Sequence, residues 1–207
     1  MKKILVVAAL ALLVATPAMS ASIKASKHDL STGGPSTFGN TYDRICAMCH
    51  TPHEASTTAQ NAPLWNREYN ANIVTAVYNA VSTTNAVFDA ASYGATDAPL
   101  CLSCHDGASM TTDLVNAPNG TGVKPTGNIT GTADLGTDLG NDHPIGFNYA
   151  DVIAAGDTEL VAGAGGLVLF DGIMWCSSCH DVHDPANTPF LAATNAQSAL
   201  CLTCHIK

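Results

Sequence analysis

Cysteine and histidine carry the reactive side chains here, eight of each in 207 residues, and their spacing is regular. Every cysteine lies in a Cys-x-x-Cys-His motif: Cys46-Ala47-Met48-Cys49-His50, Cys101-Leu102-Ser103-Cys104-His105, Cys176-Ser177-Ser178-Cys179-His180 and Cys201-Leu202-Thr203-Cys204-His205. Chance at this composition supplies about 0.01 such motifs, against four present. Two thiols at this spacing add to the two vinyl groups of one haem, and the adjoining imidazole is then held where it ligates the iron. A disulfide framework or a pair of four-cysteine zinc ribbons would use the same Cys-x-x-Cys spacing. Neither requires a histidine directly after each second cysteine, and no thiol is left outside the motifs. The pattern therefore reads as covalent attachment of four haem c groups.

The histidines extend this reading. His50, His105, His180 and His205 belong to the motifs as proximal ligands, and His28, His53, His143 and His183 remain. Four irons with a fifth and a sixth ligand each require eight, which the sequence supplies, so these four are the expected distal ligands. The order also repeats: a lone His, then Cys-x-x-Cys-His-x-x-His, then Leu-Cys-Leu-x-Cys-His. Residues 28–105 form one such unit and 143–205 the other, an internal duplication. Methionine is the competing sixth ligand, but only Met110 and Met174 are placed to serve. His/His ligation predicts low-potential, low-spin haems, whereas methionine would raise the potential. His53 and His183 each follow a proximal histidine by three residues and cannot reach the opposite face of the same haem. Each must ligate another one, which holds two irons close together. With eight ligands engaged no iron keeps an open position for substrate. The sequence has no nucleophile motif and no Gly-rich nucleotide loop, so no catalytic residue is assigned and the chain reads as an electron-transfer protein.

The segments that must position these residues are mostly irregular. Residues 1–20 read as a secretory signal peptide: Lys2 and Lys3, an apolar run from Ile4 to Val14, then small residues at Ala18-Met19-Ser20. The run is too short to span a bilayer. Export suits covalent haem, which bacteria attach outside the cytoplasm, and the expected location is extracellular or the cell surface, with the periplasm as the alternative. Residues 21–207 are then a single tetrahaem domain. Loss of Lys2 and Lys3 takes the formal charge from −9 to −11, which argues against nucleic acid and anionic membranes as partners. Large side chains are scarce, and roughly 47 residues per haem build little core of their own. The expected fold class is a multihaem cytochrome c, mostly coil with short α-helices and few β-strands, wrapped around a stack of four haems. Residues 21–45 read as an irregular arm. Ile73, Val77, Tyr78 and Val81 have the spacing of a short helix within 61–95, broken by Asp97-Ala98-Pro99. Residues 107–142 read as loop with room for short strands, and Pro144 keeps His143 out of a helix. The apolar, Gly-interrupted run Leu160 to Phe170 suggests a hairpin.

These residues resemble the secreted multihaem cytochromes c of metal-reducing bacteria, in particular the tetrahaem OmcE-type subunits of extracellular cytochrome nanowires. The resemblance rests on Cys-x-x-Cys-His-x-x-His paired with Leu-Cys-Leu-x-Cys-His, on Lys27-His28-Asp29-Leu30, and on Asp142-His143-Pro144-Ile145-Gly146, and it extends from about residue 24 to the C-terminus. It implies bis-His haems continuing from subunit to subunit in a head-to-tail filament, with one distal histidine donated to a neighbouring copy. His28, on the N-terminal arm, is the first candidate for that donation. Redox partners and external acceptors such as metal oxides would receive the electrons. The alternatives are a monomeric periplasmic tetrahaem carrier, resembling cytochrome c₃, and a multihaem reductase or one of its subunits.

Overall fold

The computed structural model describes residues 22–35, 42–59, 64–78, 90–112, 114–117 and 125–206. The expected signal peptide lies outside them, as does Val81. Regular structure is sparse: α1 (Ala90–Gly94), α2 (Ala98–His105), α3 (Tyr149–Ala154) and α4 (Cys176–Cys179), with strands β1 (Ala76–Val77) and β2 (Asp138–Leu139) paired in parallel. Short 3₁₀ turns include Ile45–Met48 and Cys201–Thr203, each carrying part of a haem motif. The rest of the described chain is coil and turn, as its composition leads one to expect.

The polar residues replace the missing secondary structure with local hydrogen bonds. Asp106, Asp134, Asp138, Asn148, Asp157, Asp181 and Asp184 each accept, through a side-chain oxygen, the backbone N–H two residues on. Side chains that satisfy the backbone this way compete with helix and sheet.

Three sequence expectations are corrected. The segment from Ile73 to Tyr78 is extended rather than helical, and β1 within it pairs with β2 in register Ala76–Asp138 and Val77–Leu139. The run Ile73-Val74-Thr75 is β-branched, which favours extended backbone over a helix. Pro99 does not end a helix but sits in the first turn of α2, where its missing N–H costs nothing. The run from Leu160 to Phe170 is not a hairpin. Leu160 bridges to His205, Ala164–Gly166 form a 3₁₀ turn, and the tight reversal comes at Phe170–Ile173.

The chain does build apolar clusters of its own. The larger one gathers Tyr93, Leu102, Ile145, Phe147, Tyr149, Val152, Met174 and Cys204, with Cys176 and Cys179 packed against it. The smaller one holds Leu30, Met48, Met110 and Leu114, with Cys49 and Cys104 against it. Cys49, Cys104, Cys176 and Cys179 thus stand on the rims of two small protein cores, and Cys204 lies inside one. Beside the smaller cluster lies Arg67, 1% exposed. Its Nη2 donates to the carbonyls of Ser103, Ser109 and Met110, tying the end of α2 to the turn that follows.

Candidate haem-binding site

Each motif folds as a single helical turn, so that the histidine leaves it at a fixed place. The N–H of His50 donates to the Cys46 carbonyl at 2.8 Å, that of His180 to Cys176 at 3.0 Å and that of His205 to Cys201 at 2.9 Å. The second motif forms the C-terminal end of α2. Three motifs are then clamped by the same two-bond bracket. Asn66, Ala192 and Val161 donate their N–H groups to the carbonyls of Cys49, Cys179 and Cys204. In return, Thr51, Asp181 and Ile206, each just after the motif histidine, donate to Leu64, Phe190 and Glu159. The histidines consequently sit in short antiparallel bridges, His50 with Trp65, His180 with Leu191 and His205 with Leu160. Sequence spacing revealed the motifs but not this bracket, because its outer strands share no residue pattern.

Six of the eight histidines meet in pairs. The ring centres of His28 and His105 lie 6.1 Å apart, those of His50 and His183 6.3 Å and those of His143 and His205 6.3 Å. Two metal–imidazole bonds of about 2 Å, plus about 1 Å from each nitrogen to its ring centre, set an axial pair roughly 6 Å apart. Each observed pair joins one motif histidine to one of the four others, as the ligand arithmetic requires. His53 and His180 are both exposed, and neither has another imidazole in ring contact among the described residues.

Backbone carbonyls orient three of the imidazoles. His105 Nδ1 lies 2.7 Å from the Ala133 carbonyl, His180 Nδ1 3.1 Å from that of Pro189 and His143 Nδ1 2.9 Å from that of Pro144. A hydrogen bond from Nδ1–H to a carbonyl fixes the tautomer that leaves the Nε2 lone pair for a metal. Burial, and then the neighbouring His105, pushes His28 down to about 4. Burial likewise lowers His143, outweighing the opposing hydrogen bond to Pro144. Neutral imidazole is the form that ligates.

All eight thiols are free. Burial pushes Cys49 up to about 12, with Cys104 adding to the effect, and raises Cys104 itself. Cys176 is held well above the usual thiol range by its hydrogen bond with Cys101 and then by burial. Burial raises Cys179 as well, with Cys204 and Cys201 next in effect. The first motif is thereby the electrostatic neighbour of the second, the second of the third, and the third of the fourth.

The surroundings suit a porphyrin. Val182, Leu202 and Ile206, which lie between, within or just after the motifs, are apolar and exposed, as is Leu64, which faces Thr51. A flat apolar macrocycle would cover such side chains. Buried donors with no protein partner include Trp65 Nε1, Arg67 Nε and Nη1, and Trp175 Nε1. Trp65 bridges His50 and Trp175 precedes Cys176, so these donors stand where an anionic propionate would suit them. Met110 and Met174 are 1% and 2% exposed, packed inside the apolar clusters.

Paired Cys-x-x-Cys-His motifs on a coil-rich frame are the arrangement of multihaem c-type cytochromes. Residues 171–207 match the family model described as the doubled CXXCH motif, which indicates covalent haem c and electron transfer. No curated protein matches the chain.

Proposed function

We propose that the chain conducts electrons through four bis-His haem c groups and does so as the subunit of an extracellular filament. The observation that carries the reading is the set of three facing imidazole pairs near the 6 Å separation of axial ligands. Bound haem supplies the one-electron chemistry. The protein supplies the thiols that would fix each macrocycle, the imidazoles that would hold the iron from both sides, and the brackets that fix three of the motif histidines. His28 with His105, His183 with His50 and His143 with His205 are the proposed distal and proximal ligands of three haems. The series of neighbouring motifs, first to fourth, supports a continuous route.

The remaining haem, on Cys176 and Cys179, has His180 as its proximal ligand and His53 as the distal one by elimination. In this reading His28, which faces His105 within its own chain, is kept for the haem of His105 rather than shared between copies. His53 takes the shared role. It and His180 are both exposed, as a ligand donated by one copy to the next requires. Electron microscopy of the haem-loaded protein, with mass spectrometry for the number of haems, tests the proposal. Four haems and filaments that disappear in His53→Ala are expected. Discrete particles with four low-spin haems would instead favour a periplasmic carrier in which His53 and His180 share an iron within one chain. A high-spin iron in the wild-type protein would favour a reductase.

A further inference from the structure

One side chain outside the ligand set joins two of the motifs. Asp97 is 7% exposed and stands directly before α2, which bears the second motif. Its backbone carbonyl accepts the N–H groups of Leu100 and Cys101, opening that helix. Its carboxylate reaches across the molecule to the start of α4, which bears the third motif. Oδ1 accepts the Cys176 N–H at 2.9 Å and Oδ2 the Ser177 N–H at 2.8 Å, a contact that spans 79 residues of sequence in the first case. Both carboxylate oxygens act as acceptors, the pattern of the ionised form. Carboxylate, Cys101 Sγ and Cys176 Sγ all lie within 4.8 Å of one another. In isolation this trio resembles a small cation site, but each sulfur belongs to a different haem motif.

We propose that Asp97 is the positioning residue of the junction between the second and third haems, holding their attachment helices together and lowering the reduction potential of both. The inference rests on the haem reading above. One residue fixes the N-terminal ends of both helices, so their two inner sulfurs stay in contact whatever the surrounding coil does. A negative charge in this buried place favours the ferric, more positive state of each nearby iron, because low dielectric strengthens its field. Distance selects the haems affected, since the first and fourth motifs have no sulfur in this cluster.

Asp97→Asn removes the charge while keeping size and one acceptor, and Asp97→Glu keeps the charge. Potentiometric titration of the haem-loaded protein, followed by visible and EPR spectra, reads the result. In Asp97→Asn two of the four midpoint potentials should shift upward and two should stay, with four haems attached and all low-spin. Asp97→Glu should restore the two potentials toward wild type. If Asp97→Asn does not accumulate, Asp97→Ser, also neutral and a good helix cap, serves the same comparison. Four unmoved potentials in a neutral variant would overturn the proposal, as would equal shifts of all four. Wild-type protein without four low-spin haems would instead overturn the haem reading, so the two failures are distinguishable.

Discussion

His28, the proposed distal ligand of the haem on Cys101 and Cys104, shows how a single side chain is prepared. Its ring packs on Phe190 at 4.3 Å between centres and faces His105, and burial holds it neutral. His28→Ala should leave all four haems attached, because thioethers and not axial ligands hold them. One ferric haem should then turn high-spin in the EPR spectrum, and added imidazole should reverse the change. An unchanged spectrum would sink the pairing with His105. Met110 gives the complementary case. As a packed core residue rather than a ligand, Met110→Leu should change stability by less than about 1.5 kcal/mol and leave every haem potential in place. A drop in one potential would return methionine to the ligand set.

At the scale of elements, the two-bond bracket turns coil into a rigid holder. Asn66 supplies the outer side of the first bracket and is fully buried. Its Nδ2 donates to the carbonyls of Ala47 and Asn116, and its Oδ1 accepts the Asn116 N–H, so one side chain locks the motif turn to the 114–117 segment. Asn66→Ala strands buried backbone groups, and should cost about 3 kcal/mol in denaturant unfolding of the haem-loaded protein. No measurable loss would mean that the haem alone holds this turn. Such brackets were illegible in the sequence because they depend on backbone groups, which every residue carries alike. The helix expected around Ile73–Val81 failed for a related reason: spacing of apolar residues suits either structure when the window is short, and pairing with Asp138–Leu139 decided it.

For the whole molecule, two modest apolar clusters must stabilise a chain that is mostly turn and coil. Conformational entropy of ordering such a chain is large, so binding of haem is expected to supply part of the folding free energy. Protein made without haem attachment should therefore lack a cooperative thermal transition by circular dichroism, and the tetrahaem form should have one. A haem-free chain that melts as sharply as the loaded one would show that the protein clusters suffice. The strong acidic excess belongs to this scale too, since it is a property of the summed surface and suits partners with basic patches.

The chemistry and its stoichiometric logic were legible in the sequence alone, since Cys-x-x-Cys-His is a local pattern and ligands can be counted from residue types. So was the coil-rich character, because Gly, Asn, Asp, Thr and Pro act on the backbone within two or three residues. Which imidazole faces which emerged with packing, which set His28 against His105 and His50 against His183. It alone buried Met110 and Met174 and drew Asp97 onto Cys176. Those choices join residues tens of positions apart, and no local spacing encodes a contact that forms only when separate turns pack together.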